Sequence, residues 1–239
     1  MSDIFSRTRL VLGSDAVDKL KNSRVAVFGI GGVGGYTVEA LARSGVGSLE
    51  LIDSDKVVLS NVNRQIIATQ KNIGQYKTEA AKERIAAINP DCEVTARNIF
   101  FLPETKAEFD FASYDYVVDA IDTVTGKLGL ILACKETGTP IISSMGAGNK
   151  VNAWQFEVAD IFDTTVCPLA RVMRQLCRKN GIDKLKVVYS KEKPITPDRS
   201  ADSEDENAPG SVAFVPSVAG LIIAGEVIKD ITGFERGDR

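Results

Sequence analysis

Apolar and polar positions along the chain sort into strands that alternate with helices. Val25-Ala26-Val27-Phe28 is an unbroken apolar run of strand length, as expected of a parallel strand covered on both faces. Further strands are predicted over residues 48–53, 93–99, 114–122, 140–145, 154–158, 185–190 and 210–215. Helical spacing is predicted at 14–20, from the glycines after Phe28 through Arg43, at 78–88 ahead of Pro90, at 127–137 closed by Gly138, from near Leu169, and at 216–231. Ser60 or Asn61 is placed to cap one more helix. Residues 191–209 hold three prolines, a cluster of acids and little that is apolar, and read as a mobile loop. Strand and helix alternate up to about residue 150. This predicts an α/β fold, a doubly wound Rossmann-like and mainly parallel sheet with a mixed C-terminal extension. Residues 1–239 are read as one domain, with a core over 1–150 and an extension over 151–239.

Composition narrows the chemistry. At 239 residues and 44% hydrophobic the chain can bury a full core, and its net charge of −3 gives no global attraction to nucleic acid or membrane. No apolar run reaches the roughly 18 residues that a bilayer span needs, and no secretory signal opens the chain, so a cytoplasmic protein is expected. Four cysteines stand well apart without a Cys-x-x-Cys pair, which fits a reducing compartment and argues against a zinc site. There is no histidine, so His-based acid–base catalysis is excluded. Chemistry must run on Arg, Lys, Asp, Asn and the substrate, with Cys167, in the loop before an arginine-rich helix, as the thiol to weigh for a covalent relay.

The first strand runs straight into Gly29-x-Gly31-x-x-Gly34 and a helix. Those glycines serve a tight turn, close backbone approach to a phosphate, and tight helix–strand packing, while the helix start attracts an anion. Asp53 closes the second strand 24 residues past Gly29, where an acid usually grips a ribose hydroxyl. A dinucleotide needs little more than this. A triphosphate needs added cations and a carboxylate for Mg²⁺. Arg64 and Lys77 can meet phosphates, Asp122 can hold Mg²⁺, and Arg7 can reach a phosphate from this chain or a neighbour. Each has a plainer reading: a surface ion pair, a solvated helix start, a helix cap. Together they favour ATP over NAD. Arg171, Arg174 and Arg178 lie along one helix face, continued by Lys179, and are either a solvated surface or a nucleic-acid contact.

Gly29-x-Gly31-Gly32-x-Gly34, Asp53-x-Asp55, Asn61-x-Asn63-Arg64-Gln65, Lys77 and Asp119-Ala-Ile-Asp122 together resemble the ubiquitin-activating enzyme superfamily, whose bacterial members include ThiF and MoeB. The resemblance covers nearly the whole chain. It implies a homodimer that adenylates a carboxylate with Mg-ATP. It also implies Asp53 on the ribose, Asn61, Arg64 and Lys77 on the triphosphate with Asp55 and Gln65 beside them, and Asp122 on Mg²⁺. Phe5-x-Arg7 resembles the arginine that crosses to the partner's ATP. The segments 5–10, 42–47, 143–148 and 167–174 are similar to one branch, the tRNA threonylcarbamoyladenosine dehydratases. That branch implies a tRNA substrate cyclised through an acyl-adenylate, and it turns the basic helix into a tRNA contact. Alternatives that stay open are adenylation of a ubiquitin-like or sulfur-carrier protein, an NAD-dependent oxidoreductase, and a non-catalytic tRNA-binding protein. Also open are a monovalent cation (Na⁺ or K⁺) near residues 143–148 and a sulfur-transfer or electron-transfer partner.

Overall fold

The computed structural model describes residues 3–198 and 208–234. Seven strands form one sheet in the order β3-β2-β1-β4-β5-β7-β6. They are β1 (Arg24–Phe28), β2 (Ser48–Ile52), β3 (Glu93–Arg97), β4 (Tyr116–Asp119), β5 (Ile141–Ser144), β6 (Phe156–Asp160) and β7 (Lys186–Ser190). All neighbours run parallel except β6 and β7, which pair antiparallel with Val158 opposite Val188. The sheet is built outward from β1, first through β2 to β3 and then through β4 to β5. A crevice therefore opens past the carboxyl ends of β1 and β4, where the direction of winding reverses.

Helices cover both faces: α1 (Ser6–Leu12), α2 (Ser14–Lys21), α3 (Gly34–Ser44), α4 (Lys77–Ile88), α5 (Val124–Thr137), α6 (Pro168–Lys179) and α7 (Phe214–Thr232). On one face α3 and α7 bury Val38, Leu41, Ala219 and Ile223 with Val25 and Val27 of β1. On the other, Phe28 meets Phe101 edge-on at 5.1 Å, within a cluster that includes Phe109 and Phe111. Alternate residues of β1 thus feed opposite cores, so every position in the strand is apolar. Beside it, α5 and α6 enclose Met145, Met173 and Cys177. Gly138 ends α5 at φ 75°, the left-handed cap its sequence predicts.

Three local expectations are corrected. Residues 210–215 form no strand. The backbone N–H and C=O of Gly210 are taken up by Asn149, and α7 starts at Phe214 with Pro216 in its first turn, where a proline is tolerated. No α-helix follows Asn61. Its Oδ1 accepts from Val58 N–H at 3.2 Å, closing a 3-10 turn (Leu59–Asn61), and the next helix is α4. The N-terminus carries two helices rather than one, hinged at Gly13, whose φ of 93° breaks them apart. Of the loop predicted over 191–209, residues 199–207 lie outside the described residues. Residues 191–198 are irregular and anchored, by Lys191 N–H to Gln155 O and Ile195 N–H to Asn149 O.

Candidate functional site

The glycine loop between β1 and α3 is shaped by close approach. A Cβ at Gly29, where φ is 88°, would stand 2.7 Å from Ala120 O, and one at Gly34 would stand 1.8 Å from Gly29 O. Any side chain there would prise β1 from the end of β4 or lift α3 off the turn. Gly31 differs: a Cβ there would meet nothing nearer than Gln65 Nε2 at 3.9 Å, so its backbone faces open space. At the start of α3 the N–H groups of Gly35 and Thr37 are taken by Gly31 O (2.9 Å) and Val33 O (3.1 Å), which winds the loop into the helix.

That opening is a cavity of about 530 Å³ at the carboxyl edge of β1, β2 and β4. Its floor is the glycine loop with Ala120 and Ile121. Asp53, Asp55 and Lys77 form one side, and Asn61, Arg64 and Gln65 another. Ile52, Ile99, Phe100 and Phe101 make an apolar end, while Asp122, Gly148, Pro209 and Ser211 stand toward the mouth. Residues more than a hundred positions apart converge because the parallel strands end along one edge. Asn63 Nδ2 donates to Ser211 O at 3.1 Å, and a Cβ on Gly148 would stand 2.7 Å from Pro209 Cβ, so the 208–211 segment is held across the opening.

Each side chain has a physical setting. Asp53 accepts from Ile30 N–H (2.7 Å) and Asp55 N–H (2.8 Å), which ties the second strand to the glycine loop. Burial raises its pKa above the usual carboxylate value, opposed by the charge of Lys77. Lys77 begins α4, where a cation opposes the helix dipole. It is only 6% exposed and bonds Asp55 at 2.7 Å, so it is not a solvated helix start. Arg64 donates to Ser60 O (2.8 Å) and Asn63 Oδ1 (2.9 Å) and has no carboxylate partner among the described residues. Burial lowers its pKa, yet an arginine starts so high that it stays charged. Gln65 is 6% exposed, and its Oε1 is buried without any hydrogen-bond partner. As an acceptor it suits a donor such as a hydroxyl or an amine and not a phosphate oxygen. Asp122 is exposed at the mouth and caps no helix, since α5 starts after Thr123 without a side-chain cap.

Other candidates lie elsewhere. Arg7 is exposed on α1 and does not line the cavity. Arg171, Arg178 and Lys179 are exposed on α6, with Arg178 stacked 5.4 Å over Phe162. Arg174, expected among the nucleic-acid contacts, is committed internally. Its guanidinium donates to both Thr164 O and Thr164 Oγ1 at 2.6 Å, tying α6 to the turn before it. Cys167 is 3% exposed and outside the cavity. Burial raises the thiols of Cys92 and Cys177 to about 11 and that of Cys134 to about 12, so these three are inert packing residues. Sequence reasoning missed the apolar end. Its only local signal is the run Ile99-Phe100-Phe101 continuing past the end of β3.

Comparison with known proteins agrees with this geometry. A tRNA threonylcarbamoyladenosine dehydratase of Bacillus subtilis is 46% identical over 238 residues, covering 95% of this chain and 94% of that protein. One from Escherichia coli K12 is 39% identical over 201 residues, covering 81% and 75%. A crystal structure of the E. coli dehydratase in complex with ATP superposes with a TM-score of 0.88 at 34% identity, over 96% of this chain and 93% of that one. No helix among the described residues is long and apolar enough to cross a membrane. The ThiF family profile matches residues 5–238, nearly the whole chain including the glycine loop and every residue of the cavity, and the chain belongs to the ThiF family.

Proposed function

We propose that this chain is an ATP-dependent tRNA threonylcarbamoyladenosine dehydratase. The observation that carries the reading is the convergence of the glycine loop, Arg64 and Lys77 on one cavity. A dinucleotide's pyrophosphate is met largely by the glycine loop and the helix start, whereas a triphosphate carries more negative charge and calls for added cations. Relatives of that name at up to 46% identity, with matched length, support the same choice.

In this reading the base sits at the Ile52, Ile99 and Phe100 end, Asp53 meets the ribose, and the phosphates lie over Gly31 toward Arg64, Lys77 and Asn61. The threonyl carboxylate oxygen attacks the α-phosphorus, and the bond to the β-phosphate oxygen breaks to release pyrophosphate. Arg64 and Lys77 neutralise charge that grows on the phosphates during that step. Mg²⁺ would supply further neutralisation, held by Asp122 and the phosphates, since one carboxylate plus phosphate oxygens suits that ion. The substrate's own carbamoyl group then attacks the activated carbonyl, AMP leaves with the former carboxylate oxygen, and the carbamoyl group gives up its proton. One water's worth of atoms is lost from the nucleoside. Ring closure is intramolecular, so positioning replaces an enzyme nucleophile and no histidine is needed.

The tRNA lies against Arg171, Arg178 and Lys179. Residues 1–239 act as one adenylating domain, working as a cytoplasmic homodimer in which Arg7 serves the neighbouring copy's phosphates. The test is mass spectrometry of nucleosides from tRNA bearing threonylcarbamoyladenosine after incubation with ATP and Mg²⁺. Loss of one water from that nucleoside with release of AMP is expected. Adenylation of a carrier-protein C-terminus with the tRNA unchanged overturns the reading.

A further inference from the structure

A charged pair lies sealed beneath the cavity and outside its lining. Asp119 is the last residue of β4, and Lys127 lies one turn into α5; both are 0% exposed. Lys127 Nζ stands 3.1 and 3.0 Å from the two carboxylate oxygens of Asp119. Ser143 Oγ donates to the same carboxylate. The pair then reaches outward at both ends. Asp119 Oδ1 accepts from Ile121 N–H at 3.3 Å, and Lys127 Nζ donates to Ser144 O at 2.7 Å.

The position of those two outer bonds gives the pair its meaning. The β4–β5 ladder ends at the register pair Asp119–Ser143, after which no main-chain bonds join the two segments. Beyond that point Ala120, Ile121 and Asp122 wall the cavity from one segment, and Ala147 and Gly148 from the other. A buried ion pair adds little net stability over an uncharged pair of similar volume, because desolvation offsets its attraction. What an uncharged pair would lack is the ammonium that bridges β4 to Ser144 O.

We infer that Lys127, clasped by Asp119, is a positioning residue that joins the diverging ends of β4 and β5 and so sets the spacing of the two loops between which the nucleotide binds. The inference rests on the proposed function only in naming ATP as that nucleotide. Lys127 lies outside the cavity lining, and its effect passes through Ser144 O directly and through Asp119 to Ile121.

The test separates stability from spacing. Asp119→Asn combined with Lys127→Met keeps the volume of both side chains and removes both charges. Melting temperature and ATP affinity by calorimetry are read on the full chain. Melting within a few degrees of the parent together with ATP bound about tenfold more weakly is expected, because the two loops then lose the link that fixes their spacing and one or more hydrogen bonds to the nucleotide with it. A normally melting variant that binds ATP within twofold of the parent overturns the inference. If that variant does not fold, Lys127→Gln in the parent carries the test, since a shorter neutral amide can still bond Asp119 but falls short of Ser144 O. ATP weakened about threefold supports the clasp, and unchanged affinity overturns it. A parent chain that binds no ATP would instead sink the functional reading.

Discussion

Gly31 and Gly34 stand three residues apart in one loop, and the structure assigns their substitutions opposite consequences. A Cβ at Gly31 has 3.9 Å of clearance and its φ is not left-handed, so Gly31→Ala fits the folded backbone. Such a change stabilises by about 0.4–1 kcal/mol through the unfolded chain, and melting should stay level or rise slightly. The new methyl, however, occupies the space a phosphate oxygen needs to come within about 2.9 Å of the backbone N–H. Losing one charge-assisted hydrogen bond costs about 1.5–3 kcal/mol, so ATP affinity should fall by about tenfold to a hundredfold. A Cβ at Gly34 would sit 1.8 Å from Gly29 O, inside any contact distance, so Gly34→Ala must deform the turn. It should lower the melting temperature by several degrees as well as ATP binding. Differential scanning calorimetry gives the first quantity and titration calorimetry with ATP the second. Gly31→Ala binding ATP within twofold of the parent would refute the claim that phosphate packs on this backbone. A large drop in its melting temperature would refute the clearance argument.

Further outcomes follow from the same geometry. Arg64→Ala and Asp122→Ala should each cut AMP release at least a hundredfold with melting and tRNA affinity nearly unchanged, as neither side chain holds the fold through an ion pair. Removing Arg171 and Arg178 together should weaken tRNA binding and flatten its salt dependence, whereas Arg174→Ala should chiefly lower the melting temperature because it empties both bonds to Thr164. Filter binding across a salt series distinguishes them. Cys167→Ser should retain most cyclising activity in the nucleoside assay, since the thiol lies outside the cavity. Burial works to raise the pKa of Glu39, but hydrogen bonds from Arg84 and Arg43 outweigh it and hold the carboxyl below its usual value. Its stabilising contribution is therefore complete above the unfolded pKa of about 4.5 and is lost as pH falls through the lower folded one. Melting temperatures of Glu39→Gln and the parent should converge across that acid range.

The sequence alone carried the features that depend on neighbours in the chain. The apolar run of β1, the glycine spacing, Asp53 at a strand end and the left-handed cap at Gly138 are local, set by backbone sterics and by which faces must be dry. The parallel sheet follows from strand–helix alternation for the same reason, and most elements fall within a few residues of their predicted bounds. The tertiary structure decided what depends on distant groups meeting. It left Gln65 Oε1 without a partner, drew Lys77 out of solvent onto Asp55, and spent Arg174 on Thr164 instead of leaving it on a surface. It also replaced an expected strand near Gly210 by a clasp on Asn149 and locked Lys127 onto Asp119 beneath the cavity. Charge, burial and hydrogen bonding are properties of a surrounding shell, and in a doubly wound sheet that shell is assembled from strand ends far apart in the chain.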